Sequence, residues 1–159
     1  MGIEIERKFL LINDDWRQQV HSSIQFRQGY LVGSDKSSVR VRIEGDKSNL
    51  NIKGARLGVR RQEFEYPIPM DDASELLSTL CAKPLIEKTR HYIIAGKHTW
   101  EIDEFAGENQ GLIVAEIELS HENESFDAQQ WLGEEVSGDE RYYNSILIKN
   151  PYKTGGTKL

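Results

Sequence analysis

Polar and apolar residues alternate along much of this chain with a period of two. In the opening stretch, MGIEIERKFL, an extended strand puts Ile3, Ile5 and Phe9 on one side and Glu4, Glu6 and Lys8 on the other. A helix would scatter the same charges, because each residue turns by about 100°. The pattern recurs. After a β-rich stretch from Ile24 to Val32 and a GSDKS turn, SVRVRIE sets Val39, Val41 and Ile43 against Arg40, Arg42 and Glu44. From Asn49 to Gly54, Leu50 and Ile52 oppose Asn51 and Lys53, and in VRRQEFEYPI the set Phe64, Tyr66 and Ile68 opposes Arg61, Glu63 and Glu65. Leu85 to Ala95 places Lys88, Arg90 and Tyr92 on one face. HTWEIDEF sets Trp100 and Ile102 against Thr99, Glu101 and Asp103, and LIVAEIELS sets Ile113, Ala115, Ile117 and Leu119 against Leu112, Val114, Glu116 and Glu118. Turns at EGDKSN, GARLG and Gly96-Lys97 separate these strands, and Pro67 and Pro69 end one of them because neither can donate to a ladder.

Helical spacing is confined to a few places. MDDASELLSTLCA carries a Leu76, Leu77 and Leu80 stripe, with Asp71 or Asp72 as cap and a capping-box spacing from Asp72 to Glu75. A second helix is expected from Asn123 to Leu132, with Phe126 and Trp131 as its apolar contacts and Gly133 as its cap. A last one starts at Ser137, boxed with Glu140, and carries Tyr143, Ile146 and Leu147. A short helix around Trp16 and Val20 completes the set. The expected fold is therefore α+β and mainly antiparallel β: eight strands with two to four flanking helices. Residues 1–149 read as one domain and residues 150–159 as a tail.

Composition narrows the class. A length of 159 residues, 38% hydrophobic and 29% charged, suits one soluble domain. No run of eighteen apolar residues and no basic, apolar and small-residue leader is present, so a cytoplasmic protein without a membrane role is expected. The single cysteine, Cys81, rules out an internal disulfide and reads as buried filler. A net charge of −6 argues against a general nucleic-acid binder. The four histidines, His21, His91, His98 and His121, show no ligand spacing, and no P-loop, G-x-S-x-G or Ser/His/Asp arrangement stands out.

The charged face changes the picture most. A wet sheet face usually mixes Thr, Ser, Lys and Glu. Here charges of both signs dominate, strand after strand. If eight strands close into a barrel, the interior has room for side chains or one small ligand, and the apolar sets and helices must pack outside. So many enclosed charges are untenable without partners. Arginine forks and lysine ammonium groups suit a polyanion, while carboxylates can meet that anion only through hard cations such as Mg²⁺ or Mn²⁺. The pattern describes a site for a metal-bound phosphate chain.

These residues resemble the CYTH superfamily, the triphosphate tunnel metalloenzymes. EIERK, Glu4 to Lys8, matches the family's E-x-E-x-K signature; RVR at Arg40 to Arg42, Lys53 of NIKG, RQEFE from Arg61, EKTR from Glu87, EID at Glu101 to Asp103 and EIE at Glu116 to Glu118 follow in family order. DERYYN, Asp139 to Asn144, resembles the C-terminal helix motif. The resemblance runs from Met1 to about Lys149. It implies an eight-stranded antiparallel tunnel that binds a small-molecule triphosphate with Mg²⁺ or Mn²⁺, and the chain looks most like short bacterial members that hydrolyse inorganic tripolyphosphate. On this reading Glu4, Glu6, Glu116 and Glu118 ligate metal, with Asp103 and Glu63 either serving a second ion or orienting a basic neighbour. Lys8, Arg40, Arg42, Lys53, Arg61 and Arg90 grip phosphate, Tyr30 contacts the chain, and Arg141 reaches the tunnel mouth. Lys88, partnered by Glu116, helps deprotonate the attacking water. A homodimer is compatible with this reading. Class IV-type adenylate cyclase and thiamine triphosphatase outcomes use the same residues, and a non-catalytic polyphosphate- or nucleotide-binding module is the alternative of a different class.

Overall fold

Each alternating segment becomes a strand, and strands joined by short turns pair with one another. The computed structural model describes residues 2–149 and 151–152. In chain order these are β1 (Ile3–Leu11), a 3₁₀ turn at Asp15–Gln19, β2 (Ser22–Gly33), β3 (Ser37–Glu44), β4 (Lys47–Gly54), β5 (Arg60–Pro67) and α1 (Met70–Thr79). There follow β6 (Ile86–Ala95), β7 (His98–Phe105), β8 (Ile113–Glu118), β9 (Leu132–Glu135), a 3₁₀ turn at Glu140–Tyr142 and α2 (Asn144–Lys149). The β3–β4 and β6–β7 hairpins turn on Gly45 and Gly96, each at positive φ in the first of two turn positions, where a side chain would be strained.

The strand order β5-β4-β3-β2-β6-β7-β8-β1 is antiparallel throughout, and pairing of β1 with β5 closes it into an eight-stranded barrel. One edge of β1 is shared. Ile3 to Ile5 face Gln62 to Arg60 of β5, whereas Phe9 and Leu11 face Glu135 and Leu132 of β9, so β9 covers the part of that edge which β5 leaves free.

Two hydrophobic clusters lie outside the barrel wall, and another fills one end of its interior, because Ile86, Phe105 and Val114 share the strand faces of Lys88, Asp103 and Glu116. Ile5 and Phe9 of β1 pack with Trp16, Trp100, Ile102, Ile117 and Trp131 in one cluster; Ile86, Phe105, Val114, Tyr142 and Leu147 form a second beneath α2. Side chains of this size each contribute about 2 kcal/mol when buried. A third cluster, Val41, Ala73, Leu77 and Cys81, seats α1 against β3 and β4. Gly29 of β2 makes that seat possible, since a Cβ there would come within 2.9 Å of Cys81 Cβ.

Several helical expectations fail for identifiable reasons. The chain from Asn123 to Leu132 forms no helix. Phe126 and Trp131 both press edge-on against Trp100, at centroid distances of 5.5 and 5.4 Å, and residues five apart on a helix would point about 140° away from each other. Gly133 is a strand residue whose Cβ would meet Leu10 O at 2.9 Å, not a helix cap. Ser137 starts no helix either. Its hydroxyl accepts the Lys8 N–H at 2.9 Å and donates to Glu135, while Asp139 caps the 3₁₀ turn by accepting from Arg141 N. In α1, Pro69 occupies the N-cap and no side chain caps the helix; Asp71 and Asp72 fall in its first turn, and Leu80 lies at the C-cap, exposed. Of the expected tail, Tyr152 is tied by its N–H to Asn109 Oδ1 at 2.8 Å, while Asn150 and residues 153–159 lie outside the described residues. No helix among the described residues is long and apolar enough to cross a membrane.

Candidate active site

With two of the clusters outside, the charged face of each barrel strand turns inward above the apolar end formed by Ile86, Phe105 and Val114. It lines a tunnel-like cavity of about 220 Å³. Eight acidic and eight basic side chains stand in its lining, together with three tyrosines and no aliphatic residue. The charges are sorted in space, and the strand register is what sorts them.

Around β1 the acids gather. Glu6 sits directly opposite Glu118 across the β1–β8 ladder, and Glu101 of β7 sits opposite Glu116 of β8. Like charges so placed destabilise a strand pair. Partial relief comes from cations on neighbouring strands. Arg61 Nε reaches Glu4 Oε1 at 3.0 Å, Lys53 Nζ reaches Glu4 at 3.5 Å and Glu63 at 3.1 Å, and Arg56 Nη2 reaches Glu6 Oε1 at 2.9 Å. Glu116 has Lys8 Nζ at 4.0 Å and Arg90 Nη2 at 3.8 Å. Among the described residues no ion pair reaches Glu118, which stands at the open rim. Burial and the neighbouring Glu4, Glu6 and Glu63 hold its carboxyl above the usual range. Burial and Glu4 also push Glu6 upward, but a hydrogen bond with Glu116 and the ammonium groups of Lys53 and Lys8 outweigh them and bring it to about 2. For Glu101, burial is the largest influence, and with Glu116 and Asp103 nearby it outweighs Arg90, raising the carboxyl to about 7.

On β3 the situation is reversed. Arg40 is buried, and its guanidinium meets only the amide oxygen of Asn51, at 3.1 and 3.3 Å. Arg42 meets the amide oxygen of Gln28 at 3.0 Å and stacks over Phe26. Neither has a carboxylate partner among the described residues. Burial, then Arg40 and Arg90, lower Arg42 to about 10, and burial and Arg40 lower Lys53 to about 8. Arg40 and Arg42 are thus enclosed cations without a carboxylate partner among the described residues, and they face the cavity.

Asp103 stands apart from both groups. It is fully buried behind the lining, with Lys88 Nζ at 2.7 Å and Arg90 Nε and Nη2 at 2.7 and 2.9 Å. Both of its oxygens are occupied by these two cations, so it orients basic neighbours and is not placed as a ligand of a second ion. Lys88 is correspondingly paired with Asp103, not with Glu116 as its expected partner. Burial lowers Lys88 to about 7, with Arg90 and Arg42 adding to the effect against the pull of Asp103. Asn144 of α2 also accepts from Lys88 Nζ at 3.3 Å.

Of the other expected site residues, Glu4, Glu6, Lys8, Tyr30, Arg40, Arg42, Lys53, Arg61, Glu63, Arg90, Glu116 and Glu118 all line the cavity. Arg141 does not. It forms a two-pronged pair with Asp139 at 2.7 and 3.1 Å on the outer surface, because its 3₁₀ turn directs it away from the tunnel. Lining residues not expected in the site include Arg56, Glu65, Tyr143 and Asn144. Arg56 falls in a hairpin loop and is fifty residues from its partner Glu6, so no local spacing signals it. On the outer wall, Ser23 Oγ, His91 and Glu104 form a hydrogen-bonded series at 2.7 and 3.1 Å that cross-strand pairing alone creates. Arg17 grips the same Glu104.

Glu4, Glu6, Glu116 and Glu118 offer oxygen donors only, crowded as like charges, which is the chemistry of a hard divalent cation site. Among the described residues no three acidic or histidine side chains converge as a ready-made ligand cage. Glu4, Glu6 and Glu116 each lean toward a lysine or arginine, so an ion would gather them by displacing those pairs.

A closed antiparallel barrel whose interior is a tunnel of sorted charge, with two of its three hydrophobic clusters outside the wall, defines a tunnel-fold protein. The CYTH domain model matches residues 2–143, and the chain belongs to the CYTH domain family. It is 49% identical over 153 residues to an inorganic triphosphatase of Acetivibrio thermocellus, covering 96% of this chain and 97% of that protein. It is 34% identical over 151 residues to an inorganic triphosphatase of Nitrosomonas europaea, covering 91% and 95%. The crystal structure of an inorganic triphosphatase superposes with a TM-score of 0.64 at 32% identity, covering 91% of this chain and 97% of that one.

Proposed function

We propose that this protein hydrolyses inorganic tripolyphosphate to pyrophosphate and orthophosphate with Mg²⁺ or Mn²⁺ as cofactor. One observation carries the reading: Arg40 and Arg42 are enclosed in the tunnel wall without carboxylate partners among the described residues, while the β1–β8 register sets Glu6 directly opposite Glu118. A phosphate chain satisfies the first group and its cations the second. The lining holds no aliphatic surface for a nucleobase, which favours the inorganic chain over ATP. The relatives named above as inorganic triphosphatases support the same choice.

In this reading Arg40, Arg42, Lys53, Arg61 and Arg90 grip phosphate oxygens, Lys8 bridges the basic and acidic sectors, and Tyr30 lies against the chain. Glu4, Glu6, Glu116 and Glu118 hold the divalent ion, whose chemistry is to polarise the attacking water and offset charge on the terminal phosphate. Glu63, salt-bridged to Lys53, is the remaining candidate for a second ion. The water oxygen bonds to the terminal phosphorus as the bond to the bridging oxygen breaks, and pyrophosphate leaves. Lys88, which burial lowers to about 7, takes the water's proton while Asp103 fixes its position. Incubation of purified protein with tripolyphosphate and Mg²⁺ or Mn²⁺ should release orthophosphate and pyrophosphate in equal amounts. Cyclic AMP from ATP, with tripolyphosphate untouched, would overturn the assignment.

A further inference from the structure

Arg56 occupies the loop between β4 and β5, yet its side chain is only 11% exposed. Its Nη2 holds Glu6 at 2.9 Å and its guanidinium stands over the Tyr143 ring at 5.1 Å. Its Nε is buried with no hydrogen-bond partner among the described residues. The other tunnel arginines differ on this point: Nε of Arg40, Arg42, Arg61 and Arg90 is bonded to Asn51, Gln28, Glu4 and Asp103 respectively. A buried donor left unmade is unfavourable, and it points to an acceptor that arrives with the ligand.

We infer that Arg56 is a latch that the cation displaces. It neutralises Glu6 while no ion is bound, and it turns its fork to phosphate oxygens of the substrate once Glu6 ligates the ion. Glu6 has one carboxylate, and an ion that takes its oxygens competes directly with the Arg56 pair. The released guanidinium then presents two parallel N–H donors, Nε and Nη2, the geometry that suits a phosphate group. Tyr143 supplies a ring face on which it can pivot without losing contact. Cation and arginine thus oppose each other on Glu6, whereas cation and substrate cooperate through Arg56. The inference rests on the metal-dependent triphosphatase reading above.

The test is titration of Mn²⁺ alone, followed by the free-ion paramagnetic resonance signal, alongside KM for tripolyphosphate. Arg56→Gln should bind Mn²⁺ about tenfold more tightly than the native protein and show a KM about tenfold higher, within the usual range of coupling between two sites. Arg56→Lys keeps the charge without the fork, so it should retain near-native Mn²⁺ affinity with a raised KM. Arg60→Gln removes a charge from the same hairpin on the outward face and should leave both quantities near native. Unchanged Mn²⁺ affinity in Arg56→Gln, or equal tightening in Arg60→Gln, would overturn the latch, as would an unchanged KM in Arg56→Gln. Failure of the native protein to hydrolyse tripolyphosphate would remove the function reading itself, while the Mn²⁺ titration would still test the competition for Glu6.

Discussion

Lys88 combines two properties that rarely coexist in a lysine: its side chain is wholly buried, and it is held in place by a carboxylate at 2.7 Å. Burial and the cations Arg90 and Arg42 favour its neutral form, whereas Asp103 favours the charged one, and the balance settles near 7. A base must be unprotonated to act. Turnover should therefore fall about tenfold for each pH unit below 7 and level off above it. Lys88→Met should lower kcat about 100-fold or more with KM nearly unchanged, since Arg40, Arg42 and Lys53 still grip the substrate. Equal loss of kcat and substrate affinity would instead make Lys88 one more phosphate clamp. Rates and pH profiles for both proteins decide between these roles. The identity of its partner lay beyond the sequence. Asp103 and Glu116 both belong to inward-facing sets, and only the β6–β7 register, with Arg90 opposite Asp103, brings Asp103 under Lys88.

At the scale of elements, β1 and β8 make a ladder that is good packing on one face and poor electrostatics on the other. Outward, Phe9 and Ala115 pair into the core; inward, Glu6 opposes Glu118. The inward face was legible in advance because period-two alternation survives intact in both strands. The segment after β8 was not, because its aromatic residues dock on the barrel wall through tertiary contacts and leave no periodic trace. The opposed glutamates give a prediction with two signs. In metal-free protein, Glu118→Gln should be stabilising by about 0.5 kcal/mol, because it removes one like-charge pair at a partly exposed rim. The raised Glu118 carboxyl adds a pH dependence. The folded state retains this proton to higher pH than the unfolded chain, so the native protein loses stability as pH rises through the window above the ordinary carboxylate value of 4.5, and the variant should lose less. With Mn²⁺ present the order should reverse, the native protein gaining more in Tm than the variant. A variant that is less stable without metal and gains as much from Mn²⁺ would show that this ladder is not a cation seat.

Across the whole molecule the decisive event is the pairing of Ile3 to Ile5 with Arg60 to Gln62, which turns a curved sheet into a closed tunnel. No local pattern announces that pairing. It is the step that carries the β4–β5 loop over Glu6, and for that reason Arg56 went unnoticed while most of the lining was read correctly from alternation. Closure also sets the charge balance. The tunnel's eight acids and eight bases cancel, and the chain as a whole carries −6, so a bare tripolyphosphate anion meets no net attraction on approach and repulsion from the acids once inside. Two unit charges 4 Å apart interact by about 4 kcal/mol at the effective dielectric of a protein site, so even one uncompensated phosphate–carboxylate contact offsets a good arginine contact. The anion should therefore bind as a cation complex. Calorimetric titration of tripolyphosphate into Lys88→Met protein, which keeps the site and turns over slowly, should give at least tenfold tighter binding with Mg²⁺ than in chelator, a gain of about 1.4 kcal/mol. Equally tight binding in chelator would mean that the acids serve only to position lysines and arginines, and that the tunnel recognises the phosphate chain without help from a metal.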